Sequence, residues 1–109
     1  MLEPLLGSVN RERVLLFLYA RGEGYPREIA RFFQTALDPV RKQLEKLEAG
    51  GVLYSRLAGR TRLYSFNPRY PFLAELEGLL KKALSYYPPN VQEEILMDRR
   101  RPRRRGKPR

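Results

Sequence analysis

Apolar residues near the start of the chain are spaced for a buried first helix. Ser8 or Asn10 can cap this helix, which we expect to run to about Arg21. Its centre, VLLFLYA, is apolar on nearly all sides, and such a helix is normally covered on several faces. The residues RGEG then break the pattern, and Tyr25 could end a very short strand.

A short second helix is predicted directly after this break. Pro26 suits the first helical position, and Glu28 falls in the first turn, where a negative charge is favourable. Ile29, Phe32 and Phe33 give this helix a core face. The helix has to be short because the sequence QTAL follows.

A third helix starts between Thr35 and Pro39, and two starts compete. Thr35, with Asp38 three residues later, resembles a capping box in which Asp replaces Glu. Alternatively, Asp38 is the cap and Pro39 takes the first helical position. The pattern alone leaves both starts open.

The third helix is amphipathic and ends at a pair of glycines. Val40, Leu44 and Leu47 recur at i, i+4 and i+7 and form its core face. Gly50 and Gly51 end the helix, because glycine readily takes the left-handed conformation found there. The opposite face is strongly polar and carries Asp38, Arg41, Lys42, Glu45, Lys46 and Ala49.

The pattern changes to strand-like alternation after the double glycine. Residues 52–56 and 61–66 are predicted to form the two strands of a hairpin around LAGR. Tyr64 and Phe66 would lie on one face of the second strand, and Leu63 on the other. The sequence NPRYP interrupts the pattern after the hairpin.

A fourth substantial helix is predicted over residues 71–84, with a broad apolar stripe. The stripe consists of Phe72, Leu73, Leu76, Leu79, Leu80, Ala83 and Leu84. Core packing alone would explain it. We favour instead a dimer seam that continues past the core. The expected dimer contacts are Leu73, Leu76, Leu80 and Leu84.

The sequence after this helix predicts a linker and one more short helix. SYYPPN has the composition of a linker. Asn90 and Glu93 then form a capping-box pattern, with Asn in place of Ser or Thr, for a helix to about Asp98.

Length and composition fit one small domain and exclude several classes of site. The chain has 109 residues, of which 42% are hydrophobic, and it contains neither Cys nor His. We therefore expect no disulfide, metal or other cofactor. An enzyme is not expected, because no His or Cys can act as base or nucleophile and no GxxxxGK[ST] phosphate loop occurs.

No membrane association is expected from the sequence. The longest apolar run, Val14 to Ala20, is too short to span a bilayer. The residues MLEPLLGSVN lack the charged leader and long apolar stretch of a signal peptide. We therefore expect a cytoplasmic protein.

The net charge of +10 is concentrated at one end of the chain. Residues 98–109 hold seven Arg, one Lys and one Asp, a net +7, whereas residues 1–97 carry +3. Such a block should be flexible when alone and should bind polyanions. The basic residues of this tail are Arg99, Arg100, Arg101, Arg103, Arg104, Arg105, Lys107 and Arg109.

The order of elements predicts a nucleic-acid-binding fold. Two short helices joined by a tight turn are a helix-turn-helix, whose second helix enters the major groove. A hairpin directly after it is the wing of a winged helix. We predict a mainly α fold with a small β-hairpin, a winged helix-turn-helix, with a C-terminal helix for dimerisation.

The polar face of the third helix supplies the candidate base contacts. Arg41 and Lys42 lie early in the helix, where base edges are usually contacted, and Arg can bond bidentately to guanine. Asp38 or Glu45 could accept a hydrogen bond from cytosine N4, although each repels phosphate. The alternative is a solvated face with pairs such as Arg41–Glu45.

Arginines around the hairpin are candidates for contacts beside the major groove. Arg56, Arg60 and Arg62 surround the predicted tip, and an arginine there suits a narrow minor groove. Alternatively, these charges only protect an exposed strand edge from aggregation. Arg27 and Arg31 on the second helix could touch backbone phosphates.

Three segments of the chain resemble the ArsR/MarR-like winged-helix transcriptional regulators. They are LLGSVNRERVLLFL, YPREIARFF and DPVRKQLEKLEAGGVLYSRLAGRTRLYSFNP, and the wing exit GR-x-R-L-Y-x-F-N-P is the most telling part. The resemblance covers roughly residues 5–84. It implies a homodimeric, repressor-like protein that binds double-stranded DNA and dimerises through terminal helices.

The resemblance also implies roles for individual residues. The positions that correspond to base-reading residues are Leu37, Asp38, Arg41 and Lys42, and those that correspond to wing residues are Arg60 and Arg62. Thr61, between the two wing arginines in the sequence, is a further candidate DNA contact. The chain departs from the family in lacking the Cys and His of metal-sensing members, in having Gln34 at the usual turn glycine, and in having Pro39 near the helix start.

We expect a sequence-specific regulator built of three parts. Residues 1–84 would form the DNA-binding domain with its dimerisation helix, 85–98 a linker and short helix, and 99–109 the basic tail. The alternatives are a protein- or RNA-interaction module and a non-specific architectural binder driven by the tail. An effector pocket lined by Tyr86 and Tyr87 is possible, but nothing in the sequence requires one.

Overall fold

The computed structural model describes residues 1–97, and these form six helices and three short strands. The expectations for the tail, residues 99–109, lie outside the described residues. In chain order the elements are α1 (Glu3–Leu6), α2 (Val9–Arg21), β1 (Glu23–Gly24), α3 (Pro26–Phe32), α4 (Leu37–Ala49), β2 (Leu53–Ala58), β3 (Thr61–Phe66), α5 (Leu73–Ser85) and α6 (Pro89–Leu96). The predicted mainly α fold with a small antiparallel sheet is confirmed.

Helix α2 is the central element and contacts α1, α3, α4, α5, α6 and two strands. Its residues 14–18 are all buried, which explains why this segment is apolar on nearly every side. Other helices and strands each add buried side chains to the same core, among them Ile29, Val40, Leu44, Leu53, Tyr64, Leu80 and Ile95. Every helix from α2 to α6 therefore depends on one core.

The beginning of α2 follows the prediction, but a short helix before it was missed. The Ser8 hydroxyl caps α2 by accepting a hydrogen bond from the Arg11 amide at 3.2 Å. Ahead of it, α1 ends at Gly7, which has a φ of 87°. Leu2 and Leu6 are half-buried against the core. Tertiary contacts therefore support a helix too short to be predicted from its own pattern.

Strand β1 lies directly against α2. It ends at Gly24, one residue before the predicted end, because Tyr25 is the residue that caps α3. The Glu28 carboxylate accepts a hydrogen bond from the Tyr25 amide at 3.2 Å. A Cβ atom on Gly24 would lie 2.8 Å from the Phe17 ring, so only glycine allows this close approach.

The sheet has the order β1-β3-β2, and β2 with β3 forms the wing. The register pairs Ala58 with Thr61 and leaves Gly59 and Arg60 as a two-residue turn. Gly59 has a φ of 69°, and glycine at this position is typical of a type II′ turn. The predicted four-residue turn is therefore wrong, and β2 extends two residues further, to Ala58.

Two predicted helix starts are wrong, and proline explains both. Helix α4 is capped by Ala36, not by Thr35 or Asp38. Pro39 is its third residue, a position whose amide has no partner within a helix. Helix α6 begins at Pro89 rather than after an Asn90 cap, and it ends at Leu96 instead of Asp98.

The apolar stripe of α5 belongs partly to the core of the chain itself. Leu80 is fully buried and Leu84 nearly so, and both pack in the central core. Core packing therefore explains these two predicted dimer contacts. Leu73 and Leu76 are half-buried, and Phe72 is 62% exposed. The beginning of α5 is the part of the stripe that remains accessible.

Arg21 joins the ends of three helices. Its guanidinium lies over the Phe17 ring at 4.6 Å and is 3.5 Å from the Glu28 carboxylate at the start of α3. It also donates to the carbonyl of Ile95 at 2.8 Å and to that of Glu94 at 3.3 Å, in the last turn of α6. This role was not predicted, because Arg21 was expected only to end α2.

A buried carboxylate connects the beginning of the chain to the segment before α6. Glu12 is 2% exposed and accepts hydrogen bonds from the Leu2 amide and the Tyr87 hydroxyl, and the Met1 ammonium lies 3.3 Å away. Burial raises the pKa of Glu12, but these donors outweigh it and the net pKa is lowered. Burial and then the bond to Glu12 raise the pKa of Tyr87.

We expect Tyr87→Phe to lower the free energy of unfolding by about 1–3 kcal/mol at pH 7, because a buried carboxylate loses a donor. A lowered pKa stabilises the fold above the ordinary carboxyl value of 4.5 and loses that effect as the pH falls through the folded value. The difference between the two proteins should therefore shrink from pH 7 to pH 3. Urea titrations followed by circular dichroism measure it.

Tyr86→Phe is the matched control, because Tyr86 is 70% exposed and should respond little. A Tyr87→Phe loss that stays constant across this pH range would contradict the role given to Glu12.

Candidate nucleic-acid interface

Helix α4 exposes a continuous polar face, as predicted. Val40, Leu44 and Leu47 are buried. The side chains on the opposite face are all exposed: Asp38, Arg41, Lys42, Glu45, Lys46 and Ala49. With α3, this helix forms a helix-turn-helix whose second helix is open to a partner.

The turn between α3 and α4 contains a residue in an unusual backbone conformation. Gln34 has a φ of 54°, the one positive φ outside glycine among residues 1–97. The next amide, that of Thr35, donates to the Ala30 carbonyl at 3.0 Å. Gln34 therefore takes a left-handed conformation at the position of the usual turn glycine, although this conformation is disfavoured for residues that carry a side chain.

Two side-chain contacts fix α4 relative to its neighbours. The Arg11 guanidinium in α2 donates to the Gln43 side-chain oxygen at 2.9 Å. At the other end, the Ser55 hydroxyl in the wing donates to the Glu48 carboxylate at 2.8 Å and accepts from Arg62 at 3.2 Å. Ser55 and Glu48 were not predicted as positioning residues, because their pairing depends on how the wing folds against α4.

A cleft of about 280 Å³ lies between α3, α4 and the wing. Its lining includes seven of the ten predicted DNA contacts: Arg27, Leu37, Arg41, Glu45, Arg60, Thr61 and Arg62. Pro26 and Tyr64 complete it. Asp38, Lys42 and Arg56 do not line it. Four arginines against one glutamate give the lining a net charge of +3, so the cleft is suited to an anion.

The charged groups of this cleft have few partners. Arg41 pairs with Asp38 at 3.2 Å, and both side chains are largely exposed. The alternative pair Arg41–Glu45 is not formed among residues 1–97. Burial, and then the carboxylates of Glu48 and Glu45, raise the pKa of Tyr64 at the floor of the cleft. An exposed pair such as Arg41–Asp38 is weak and can open when a partner arrives.

Arg56 lies away from the other wing arginines. The register pairs Arg56 with Leu63 and Arg62 with Leu57, so strand alternation places Arg56 and Arg62 on opposite faces. Arg56 is 3.5 Å from the Glu23 carboxylate of β1. The expectation that Arg56 surrounds the tip is therefore wrong, because the turn has two residues and Arg60 alone among the three occupies it.

A second cavity of about 480 Å³ lies between α2, the end of α3 and α6. Tyr87 lines it together with Phe32, Phe33 and Val91, but Tyr86 does not. No group of three or more acidic residues able to hold a metal ion occurs in the described part of the chain. No helix within residues 1–97 is long and apolar enough to cross a membrane.

Comparison with known proteins identifies the fold. No family model and no curated protein matches the chain. Among solved structures, it is similar to a double mutant of ZitR from Lactococcus lactis in its apo form. The two chains are 22% identical, the match covers 86% of this chain and 80% of the other, and the TM-score is 0.55. The winged helix-turn-helix architecture is thereby confirmed.

We expect Gln34→Gly to raise the free energy of unfolding by about 0.5–1 kcal/mol, because glycine takes a positive φ without the steric cost that other residues meet. Thermal and urea unfolding measure this change. Thr35→Gly is the control, since its φ is not positive and the exchange should destabilise. A Gln34→Gly variant as unstable as Thr35→Gly would show that the turn carries no such strain.

Proposed function

We propose that this protein is a sequence-specific, double-stranded DNA-binding transcriptional regulator that acts as a homodimer. The observation that carries this proposal is the exposed polar face of α4 beside a cationic cleft that the wing helps to form. In helix-turn-helix proteins the second helix lies in the major groove and its early residues contact base edges. The winged-helix architecture supports the same placement of α4.

Residues in the first half of α4 read bases in this proposal. Arg41 and Lys42 are exposed there, and a guanidinium can bond guanine O6 and N7 together. In the free protein the Arg41 guanidinium lies 3.2 Å from the Asp38 carboxylate. On DNA, Arg41 either leaves Asp38 for a base or contacts both. Leu37, the first residue of α4, offers an apolar contact to a thymine methyl group.

The wing and the tail add contacts to the backbone. Arg60 lies in the turn and Arg62 beside it, so both can reach phosphates or the adjoining minor groove. Arg27 adds a backbone contact from α3. We assign Arg56 to the pair with Glu23 and not to DNA. The tail, residues 99–109, raises affinity without adding sequence information.

Dimerisation uses the accessible beginning of α5. Leu73 and Leu76 are half-buried and Phe72 is exposed, so a second copy would cover an apolar surface. Residues 1–84 supply DNA binding and this contact, 85–98 the linker and α6, and 99–109 the tail. Such a dimer binds two half-sites, and occupation of an operator gives repressor-like action.

A binding selection from a random duplex library tests the proposal, with residues 1–109 and 1–97 run in parallel at near-physiological salt. We expect both chains to enrich the same inverted repeat, because α4 reads sequence and two copies read two half-sites. Binding of the longer chain without enrichment, with no binding of the shorter one, would replace the proposal by a non-specific binder driven by the tail.

We expect Arg41→Ala to weaken binding to the selected site about 10- to 100-fold, the range set by one bidentate base contact. Binding to a random duplex should change far less. Fluorescence anisotropy at a fixed salt concentration measures both. Arg69→Ala serves as the control, because this exposed arginine follows the wing and does not line the cleft. Equal losses on both duplexes would show that Arg41 reads no base.

A further inference from the structure

Three arginines from different parts of the fold meet at one cleft without a carboxylate partner. Arg27 comes from the first turn of α3, Arg60 from the wing turn and Arg62 from β3. None of them forms an ion pair within residues 1–97. Bringing like charges together is unfavourable unless an anion binds between them.

The chemistry of the lining is suited to a phosphate group. Guanidinium groups present forked donors that match phosphate oxygens, and Thr61 also lines the cleft. The cleft is bounded by α4 on one side and by the wing on the other. A DNA strand at the edge of the groove that holds α4 would run past this opening.

We propose that the cleft binds a single backbone phosphate of each DNA half-site, held jointly by Arg27, Arg60 and Arg62. This inference rests on the proposed function and adds to it the group on the DNA that the cleft recognises. The contact fixes the position of α4 on the duplex, since phosphate contacts set register while base contacts set sequence.

Glu45 has a distinct role in this site. It is the one acidic residue in the lining, and no guanidinium among residues 1–97 pairs with it. A carboxylate there repels the incoming phosphate. Glu45 therefore limits the affinity for every sequence, and it does not read cytosine.

A scan of single neutral methylphosphonate linkages along the selected duplex tests the phosphate contact, with the full chain. We expect one linkage in each half-site to weaken wild-type binding about tenfold, and the same linkage to have little effect on Arg60→Ala, whose contact is already lost. The slope of log affinity against log salt should fall by about 0.9 in that variant.

Arg60 suits this test because it lies in an exposed turn and its side chain forms no ion pair in the described part of the chain, so its removal should leave the fold intact. Arg69→Ala is the matched control: an exposed arginine outside the cleft, it should keep the sensitivity of the wild type. If the protein binds the selected DNA and no methylphosphonate linkage weakens this binding, the phosphate site is overturned and the proposed function still stands. If no duplex binds, both fail.

Glu45→Gln separates repulsion from base reading. Repulsion predicts that this variant binds the selected and the random duplex several-fold more tightly, by about the same factor. Weaker binding to the selected duplex alone would overturn the role given to Glu45. Millimolar inorganic phosphate at constant ionic strength should not compete with DNA for the cleft. If it does compete, and if Arg60→Ala abolishes this competition, the cleft would be assigned to free phosphate instead.

Discussion

The position of the helix-turn-helix depends on the buried guanidinium of Arg21. Its side chain is 5% exposed and reaches the ring of Phe17, the carboxylate of Glu28 and the carbonyl of Ile95. A buried cation is tolerated only when its donors are satisfied, and the carbonyl end of a helix favours positive charge. Because these partners belong to α2, α3 and α6, one residue ties the beginning of α3 to two other helices. Helix α4 packs in turn against α2 and α3.

The candidate site is a product of this placement and not of any single segment. Arg11 holds α4 to α2 through Gln43, and Ser55 holds the wing to Glu48. With both sides fixed, arginines from three elements face the same cleft. The backbone that carries these donors is therefore held in place before a partner arrives, which lowers the conformational entropy lost on binding.

The sequence predicted those features that depend on local periodicity. The core faces of α2 and α4 and the polar face of α4 follow from residue spacing alone, because each is decided within one helix. The helix starts at Leu37 and Pro89 were missed, since a proline in the first turn is compatible with several starts. Contacts such as those of Arg21 and Ser55 join residues far apart in the chain, and no pattern within a segment contains them.

The pairing register of the wing restricts where this hairpin can change in length. Because side chains alternate along a strand, a shift of β3 by one residue against β2 would move Arg62 to the face that now carries Arg56 and would turn Tyr64 out of the core. A shift by two residues would restore both faces. Added residues are therefore tolerated in the turn at Gly59 and Arg60, where they leave the register intact, whereas odd shifts along the paired strands exchange the inner and outer faces of the wing.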